Sequence, residues 1–456
     1  MREKALVRDV DMLQGRPISK ILFFSAPLIV GNLAAQLYTA TDAAIVGNFL
    51  GVDAFAAIGC TSWITWLIIA MCRDASNAIC IMASVQAGAK CQKEFQRVLG
   101  AAIIGGVILS SVVTICGLIT VEPILRLLHV PSNIFEQAGQ YLRIFVLSIP
   151  FMMAHNLACA FLRAKGNGRG PLMAMIASAA TNIILDYCFI KYFGAGIGGA
   201  AWATLLAQGI AAIVAVLHLN CRSYINISKT VWTPDFELLR KFFSLFFPMI
   251  LNSAIITAGG IFVQSQINLM GSTFTAGIAA GTKVFNILEA VIMAIQAGVG
   301  VYIGQNLGAG QIKRIRFGFR ETTLWTILLT IIMIVLVWLW GEPVIALFLS
   351  SESLGVYSAA LETAVWHIRL MSLGLLIMTP MYFFRTATQT LGYVNYSIIA
   401  AALQLIARVA TILFLPGWLG KAGYYLTDVA AWMISLPVVM VPYYQIMKKL
   451  EFGSTR

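Results

Sequence analysis

Residues 21–41 carry no charged side chain. A hydrocarbon layer about 30 Å thick is crossed by one helix of roughly 20 apolar residues. Twelve stretches of this kind follow one another, the first at 18–41, the second at 52–82, the fourth at 140–162 and the last at 424–446. Within lipid, every backbone N–H and C=O must be satisfied inside the protein, so only helices or a closed barrel can span. Short segments of alternating polarity, the mark of a barrel, are missing from the sequence. Hydrophobic residues make up 59% of the chain and charged residues 11%, whereas a soluble domain carries about 25% charged residues. The expected fold is an all-α polytopic membrane protein with twelve transmembrane helices.

The sequence also repeats itself at a spacing of about 220 residues. Pro27 recurs as Pro248, and Glu122-Pro123 recurs as Glu342-Pro343 at the end of a long apolar run. Gln86-Ala87-Gly88-Ala89-Lys90 recurs as Gln305-Asn306-Leu307-Gly308-Ala309-Gly310, and Gly168 and Gly392 sit in matching polar breaks. The longest polar stretch, 222–241, separates the copies. The predicted organisation is therefore a six-helix bundle over 1–221, a linker over 222–241 and a second six-helix bundle over 242–456. An even number of spans per half makes the repeats parallel, related by a pseudo-two-fold axis along the membrane normal. A glycine at each Gly-Ala break is expected to take positive φ and stop its helix. Pro27 and Pro248 are expected in the first turns of their spans, as helix-start prolines or as kinks.

A net charge of +12 raises the question of nucleic acid, but its distribution answers differently. Most Lys and Arg fall on one side of the predicted spans: Arg2, Lys4, Arg8, Arg16 and Lys20; Lys90, Lys93 and Arg97; Arg163, Lys165 and Arg169; Arg222, Lys229, Arg240 and Lys241; Lys313, Arg314, Arg316, Arg320 and Arg385; Lys448, Lys449 and Arg456. By the positive-inside bias, that side is cytoplasmic, with both termini on it. The basic rim faces anionic lipid headgroups, in a plasma membrane and without a nucleic-acid partner. The eight cysteines all lie in the first half with no C-x-x-C pair, and the four histidines are scattered. They read as packing residues rather than a disulfide or metal framework.

Charge inside lipid is the sharpest functional signal, because an Asp at a span centre costs at least about 2.5–3.5 kcal/mol on insertion. Asp42 lies late in the first span. Asp186 lies in the fifth, with Asn182 one turn before it on the same helical face. Thr204, in the sixth, offers a hydroxyl. Two carboxylates withdrawn from water together cannot both stay charged cheaply. They hold a proton, or they clasp a hard cation such as Na⁺ with the Asn and Thr oxygens. In the second half the position of Asp42 falls near Val263-Gln264, and that of Asp186 near Arg408. The eighth span carries Lys283 and Glu289, six residues and roughly 120° apart at about 100° per residue. Glu289 is a candidate acidic contact for cations, or else a partnered charge with Arg408 or Lys283. Arg73-Asp74 in the second span is a gate or a structural pair. Gln36, Tyr38, Gln264, Glu289 and Gln296 are candidates for a substrate cavity, and Arg143 and Arg369 are expected to snorkel to headgroups. Asp428 reads as an interface charge.

Taken in order, Thr41-Asp42-Ala43-Ala44-Ile45-Val46-Gly47-Asn48, Gly88-Ala89-Lys90, Asn182-Ile183-Ile184-Leu185-Asp186 and Gly304-Gln305-Asn306-Leu307-Gly308-Ala309-Gly310 resemble the multidrug and toxic compound extrusion (MATE) transporters over roughly 10–450. The resemblance implies two six-helix bundles with a cavity between them. It implies efflux of small organic cations driven by inward H⁺ or Na⁺, with no cofactor and the chain working as a monomer. It also implies that Asp42, Asn182, Asp186 and Thr204 form the proton or Na⁺ site of the first bundle. Arg73-Asp74 departs from the small residues more usual there. The rival readings are a flippase for lipid-linked precursors on a related fold, a multi-pass membrane enzyme and a scaffold. The sequence has no clustered His, Asp or Cys for an enzyme, and a passive scaffold gains nothing from buried acids.

Overall fold

The protein is described by a computed structural model, over residues 9–128, 130–222, 224, 234–346, 348 and 354–453. The basic residues Arg2, Lys4, Arg8, Lys229 and Arg456, and half of the predicted linker, lie outside the described residues. The described structure is helical throughout. Its elements are α1 (Pro17–Gly88), α2 (Gln92–Leu127), α3 (Ser132–Leu147), α4 (Ile149–Ala164), α5 (Arg169–Tyr187), a π segment (Cys188–Tyr192), α6 (Gly196–Cys221), α7 (Phe236–Asn268), α8 (Ser272–Gly308), α9 (Ile312–Ala346), α10 (Leu354–Thr390), α11 (Asn395–Leu419), α12 (Lys421–Tyr425) and α13 (Thr427–Gly453).

Among the described residues, eleven helical segments are long and apolar enough to cross a membrane, and a bent pair makes a twelfth. That pair is α3 and α4, which meet at 42° across Ser148. The predicted span 140–162 straddles this bend. Pro150 follows in the first turn of α4, and its missing N–H and ring prevent α3 from running on. The first two spans lie in one helical run, α1, broken at Gly51 (φ 81°, ψ −174°). Pro27 and Pro248 do not sit in first turns as expected. Pro17 takes the opening position of α1, while Pro27 and Pro248 lie inside α1 and α7.

The chain divides into two compact units, residues 1–13 with 23–250, and residues 14–22 with 251–456. In the first, α5 packs most extensively on α6, and α6 also meets α3 and α4. Small side chains permit this approach, since Gly198, Gly199, Ala200, Ala201 and Ala203 are all buried. In the second, α10 is the hub and packs on α8, α9 and α13. Helix α9 turns a threonine stripe inward: Thr322, Thr326 and Thr330 are buried, and the Thr330 hydroxyl meets that of Thr379 at 3.3 Å. Its Leu324, Leu328, Ile331, Val335 and Leu339 face outward. Apolar outside and polar inside is the arrangement that lipid favours.

The repeat is visible in the turns. After α1, Lys90 N–H donates to Ala87 O at 3.2 Å and Cys91 N–H to Gln86 O at 3.2 Å. After α8, Gly310 N–H donates to Leu307 O at 3.1 Å and Gln311 N–H to Asn306 O at 2.8 Å. Both are Schellman stops. The left-handed residue of the first is Lys90 (φ 54°), not a glycine as expected, whereas the second uses Gly310 (φ 69°). A second matched pair follows α4 and α10, at Gly166 (φ 81°) and Gly392 (φ 92°). The counterpart of Gly392 is thus Gly166 rather than Gly168. Asn167 Oδ1 then accepts from the backbone N–H of Arg169 (3.1 Å) and Gly170 (2.9 Å), which opens α5.

Candidate functional site

Helix α5 positions Asn182 and Asp186 one turn apart, both buried to within 1% of full burial. The α-helical register holds through Tyr187, and the π segment begins at Cys188, closed by Phe193 N–H donating to Cys188 O at 3.2 Å. Single π turns inside helices recur at functional sites. Asn182 Nδ2 donates across to Thr204 Oγ1 on α6 at 3.3 Å. From α1, Tyr38 and Asp42 share a face at the same four-residue spacing. The Asp42 and Asp186 carboxyls approach within interaction distance of each other, and Tyr38 stands beside both and beside Thr204. All four predicted ion-site residues are therefore gathered in one unit by three helices.

The polar inventory of this cluster is unbalanced. Among the described residues, Asp42 Oδ1, Asn182 Oδ1 and both carboxylate oxygens of Asp186 are buried without a hydrogen-bond partner. Buried polar atoms are paired in the great majority of cases, and an unpaired buried carboxylate is costly. Four inward oxygens, with the Thr204 hydroxyl at hand, suit a proton shared between carboxylates or a hard cation with oxygen ligands.

Tyr38 was expected in a substrate cavity, and the structure places it in this acidic cluster. Tyr141 of α3 also lies within electrostatic reach of Asp42, Tyr38 and Asp186. It is buried and stacked on Phe145, with ring centroids 6.0 Å apart. Sequence reasoning missed it, because a tyrosine four residues before a phenylalanine looks like ordinary packing.

The other predicted residues separate. Gln36 is exposed, and Gln264 bonds along its own helix to Asn268 at 2.8 Å. Glu289 and Gln296 both face α10 from α8: Tyr382 Oη donates to Glu289 Oε1 at 2.8 Å, and Gln296 Nε2 to Thr386 Oγ1 at 2.6 Å. The guanidinium of the buried Arg385 lies 4.6 Å from the Tyr382 ring centroid. The expected partners of Glu289 are engaged elsewhere. Arg408 Nε donates to Asp428 Oδ1 at 2.7 Å and its Nη1 to Ile256 O at 3.0 Å. Lys283 is exposed, 5.8 Å from the Phe348 ring centroid. Asp428, in the first turn of α13, is therefore half of an ion pair rather than a lone charge. Arg73 and Asp74 approach to 3.7 Å, and the Arg73 guanidinium also lies over Trp66 at 5.6 Å. Arg143 pairs with Glu122 at 2.5 Å, and Arg369 lies over Trp338 at 5.5 Å. Among the described residues, no group of three or more His, Cys, Asp or Glu is placed to hold a metal.

Comparison with known proteins agrees with this architecture. The MatE family model matches residues 27–188 and 248–414, one segment in each repeat. The probable multidrug resistance protein YoeA of Bacillus subtilis is 26% identical over 93% of this chain and 93% of its own. The multidrug export protein MepA of Staphylococcus saprophyticus is 24% identical over 94% of each. Among solved structures, a MATE protein crystallised in complex with MaL6 superposes with a TM-score of 0.90 at 20% identity, over 98% of this chain and 99% of that one. With both repeats matched and the fold shared from end to end, the chain belongs to the MatE family, the multidrug and toxic compound extrusion transporters.

Proposed function

We propose that this protein is a secondary antiporter that exports small organic cations in exchange for H⁺ or Na⁺ by alternating access. The observation that carries the proposal is the set of unpartnered buried oxygens on Asp42, Asn182 and Asp186. A carboxylate pair of this kind accepts one positive charge readily. Once it does, the field that attracts a cationic drug into the same bundle is weakened. Ion and drug therefore exclude each other, and exclusion between two ligands with access to alternate sides is exchange. Asp42 and Asp186 hold the charge, Asn182 and Thr204 supply neutral oxygens, and Tyr38 and Tyr141 wall the cluster. Glu289, held by Tyr382, adds a second acidic contact for cations in the other unit. The basic segments, from Lys90 to Arg97 and from Lys313 to Arg320, lie on the cytoplasmic side with both termini, against anionic lipid.

The test uses purified protein in vesicles loaded with a fluorescent organic cation. Imposing ΔpH and ΔNa⁺ separately should drive efflux with one of them and name the coupling ion. Dye movement indifferent to both gradients would exclude antiport.

A further inference from the structure

Left-handed glycines and prolines fix the register between the two repeats. Gly166 and Gly392 (φ 81° and 92°) precede α5 and α11, while Gly196 (φ 56°) opens α6 and Gly420 (φ 57°) immediately precedes α12. Counting from the first pair, Asn182 falls on Arg408, and Asp186 on Ile412. Counting from the second pair, Thr204 falls on Asp428. Counting along α1 and α7 from Pro27 and Pro248, Tyr38 falls on Gly259 and Asp42 on Val263. The structure thus moves the counterpart of Arg408 from Asp186 to Asn182.

This register makes two contacts equivalent. In the first repeat, Asn182 reaches Thr204 through a neutral hydrogen bond. In the second, the same crossing is bridged by Arg408 and Asp428 at 2.7 Å. The space that the Tyr38 side chain takes in the first repeat is cleared in the second by glycine. A Cβ on Gly259 would lie 3.1 Å from Arg408 Cδ and 3.4 Å from its Nη1. Arg408 therefore lies against the α7 backbone and donates to Ile256 O at 3.0 Å. Its side chain is 10% exposed and that of Asp428 33%. A planar guanidinium presents fixed donors to carboxylate and carbonyl together, which an ammonium cannot match.

We propose that the Arg408 guanidinium is a tethered cation that permanently fills the second repeat's counterpart of the ion site. Asp428, the Ile256 carbonyl and the cleared face at Gly259 form a guanidinium-binding site that this side chain occupies. Ion coupling is then confined to the first repeat, because the second carries its own counter-charge. The comparison rests on reading the Asp42–Asp186 cluster as the ion site. The test below measures binding and stability at Arg408 without transport, so either reading can fail alone.

Removing one partner of a buried ion pair strands the other charge, and a free ligand that replaces it stabilises by mass action. In full-length purified Arg408→Gly, the thermal unfolding midpoint should fall. Millimolar methylguanidinium should restore most of the lost shift with a saturable dose response. Tetramethylammonium at equal ionic strength should restore none. The response should vanish in Arg408→Gly with Asp428→Asn. Absence of recovery, or equal recovery with tetramethylammonium or in the double variant, overturns the proposal. If Arg408→Gly does not fold, the paired replacement Arg408→Asn with Asp428→Thr decides, because it writes the first-repeat pair into the second. A folded protein with a midpoint near the native one supports the equivalence, and failure to fold overturns it.

Discussion

Replacing Asp186 by Asn separates the function of this carboxylate from its cost. The side chain is fully buried, faces Asp42 and has both oxygens unpartnered among the described residues. The amide has nearly the same shape, so packing against α6 is kept while one negative charge is lost. A unit charge 4 Å from a cation contributes about 4 kcal/mol at an effective dielectric of about 20, which is close to three decades in affinity at about 1.36 kcal/mol per decade. Asp186→Asn should therefore bind the coupling ion roughly a thousandfold more weakly. Gradient-driven efflux of a fluorescent cation from vesicles should be abolished. The same change relieves a buried charge with no hydrogen-bond partner, so the ion-free protein should unfold at a higher temperature. Function and stability thus move in opposite directions. Undiminished gradient-driven efflux, or a loss of efflux together with a lower midpoint, would refute the reasoning.

Four further outcomes follow from other parts of the molecule. Asp235 accepts from the Leu238 N–H (3.1 Å) at the start of α7 and pairs with Arg97 at 2.6 Å, and these contacts, the backbone one foremost, hold its carboxyl below the usual carboxylate range. Its contribution is complete above the ordinary carboxylate pKa and is lost as the pH falls below it. Asp235→Ala should cost about 1 kcal/mol as a lost cap and flatten the acid limb of a thermal stability profile. At Gly166, a Cβ would stand 2.2 Å from the Val10 carbonyl oxygen, so Gly166→Ala should prevent folding by fluorescence size-exclusion. Gly392→Ala, at φ 92° in open space, should cost only the left-handed strain of about 1–2 kcal/mol. Tyr382→Phe removes the hydroxyl that donates to Glu289, and should cost about 1.5–3 kcal/mol in thermal unfolding, as for hydrogen bonds to charged groups.

The helical membrane fold was legible because lipid allows few alternatives, and the duplicated landmarks fall where the turns match. The acidic cluster was legible because Asp42, Asn182 and Asp186 are improbable in apolar spans. What escaped were relations between helices. Tyr38 and Tyr141 join the site through packing of α1, α3 and α5, which no periodicity encodes. The pairing of Asp428 escaped because its partner, Arg408, lies twenty residues away on another helix. The bend at Ser148 was hidden because the apolar run continues through Pro150. The helix stop at Lys90 was misassigned to glycine, since side-chain chemistry alone does not reveal which residue of a turn takes φ 54°.

The matched turns after α1 and α8 have a consequence for engineering the chain. Each is closed by backbone bonds at identical positions, with residues 85–91 corresponding to 305–311. Nothing in those bonds depends on which side chains are present, apart from the left-handed residue itself. At the level of the backbone the two segments are interchangeable parts. Transplanting 305–311 in place of 85–91 would exchange Lys90 for Gly310, remove one basic charge and preserve the helix stop. Hybrid transporters could therefore be spliced at these turns, joining hairpins from different relatives without rebuilding the helices on either side.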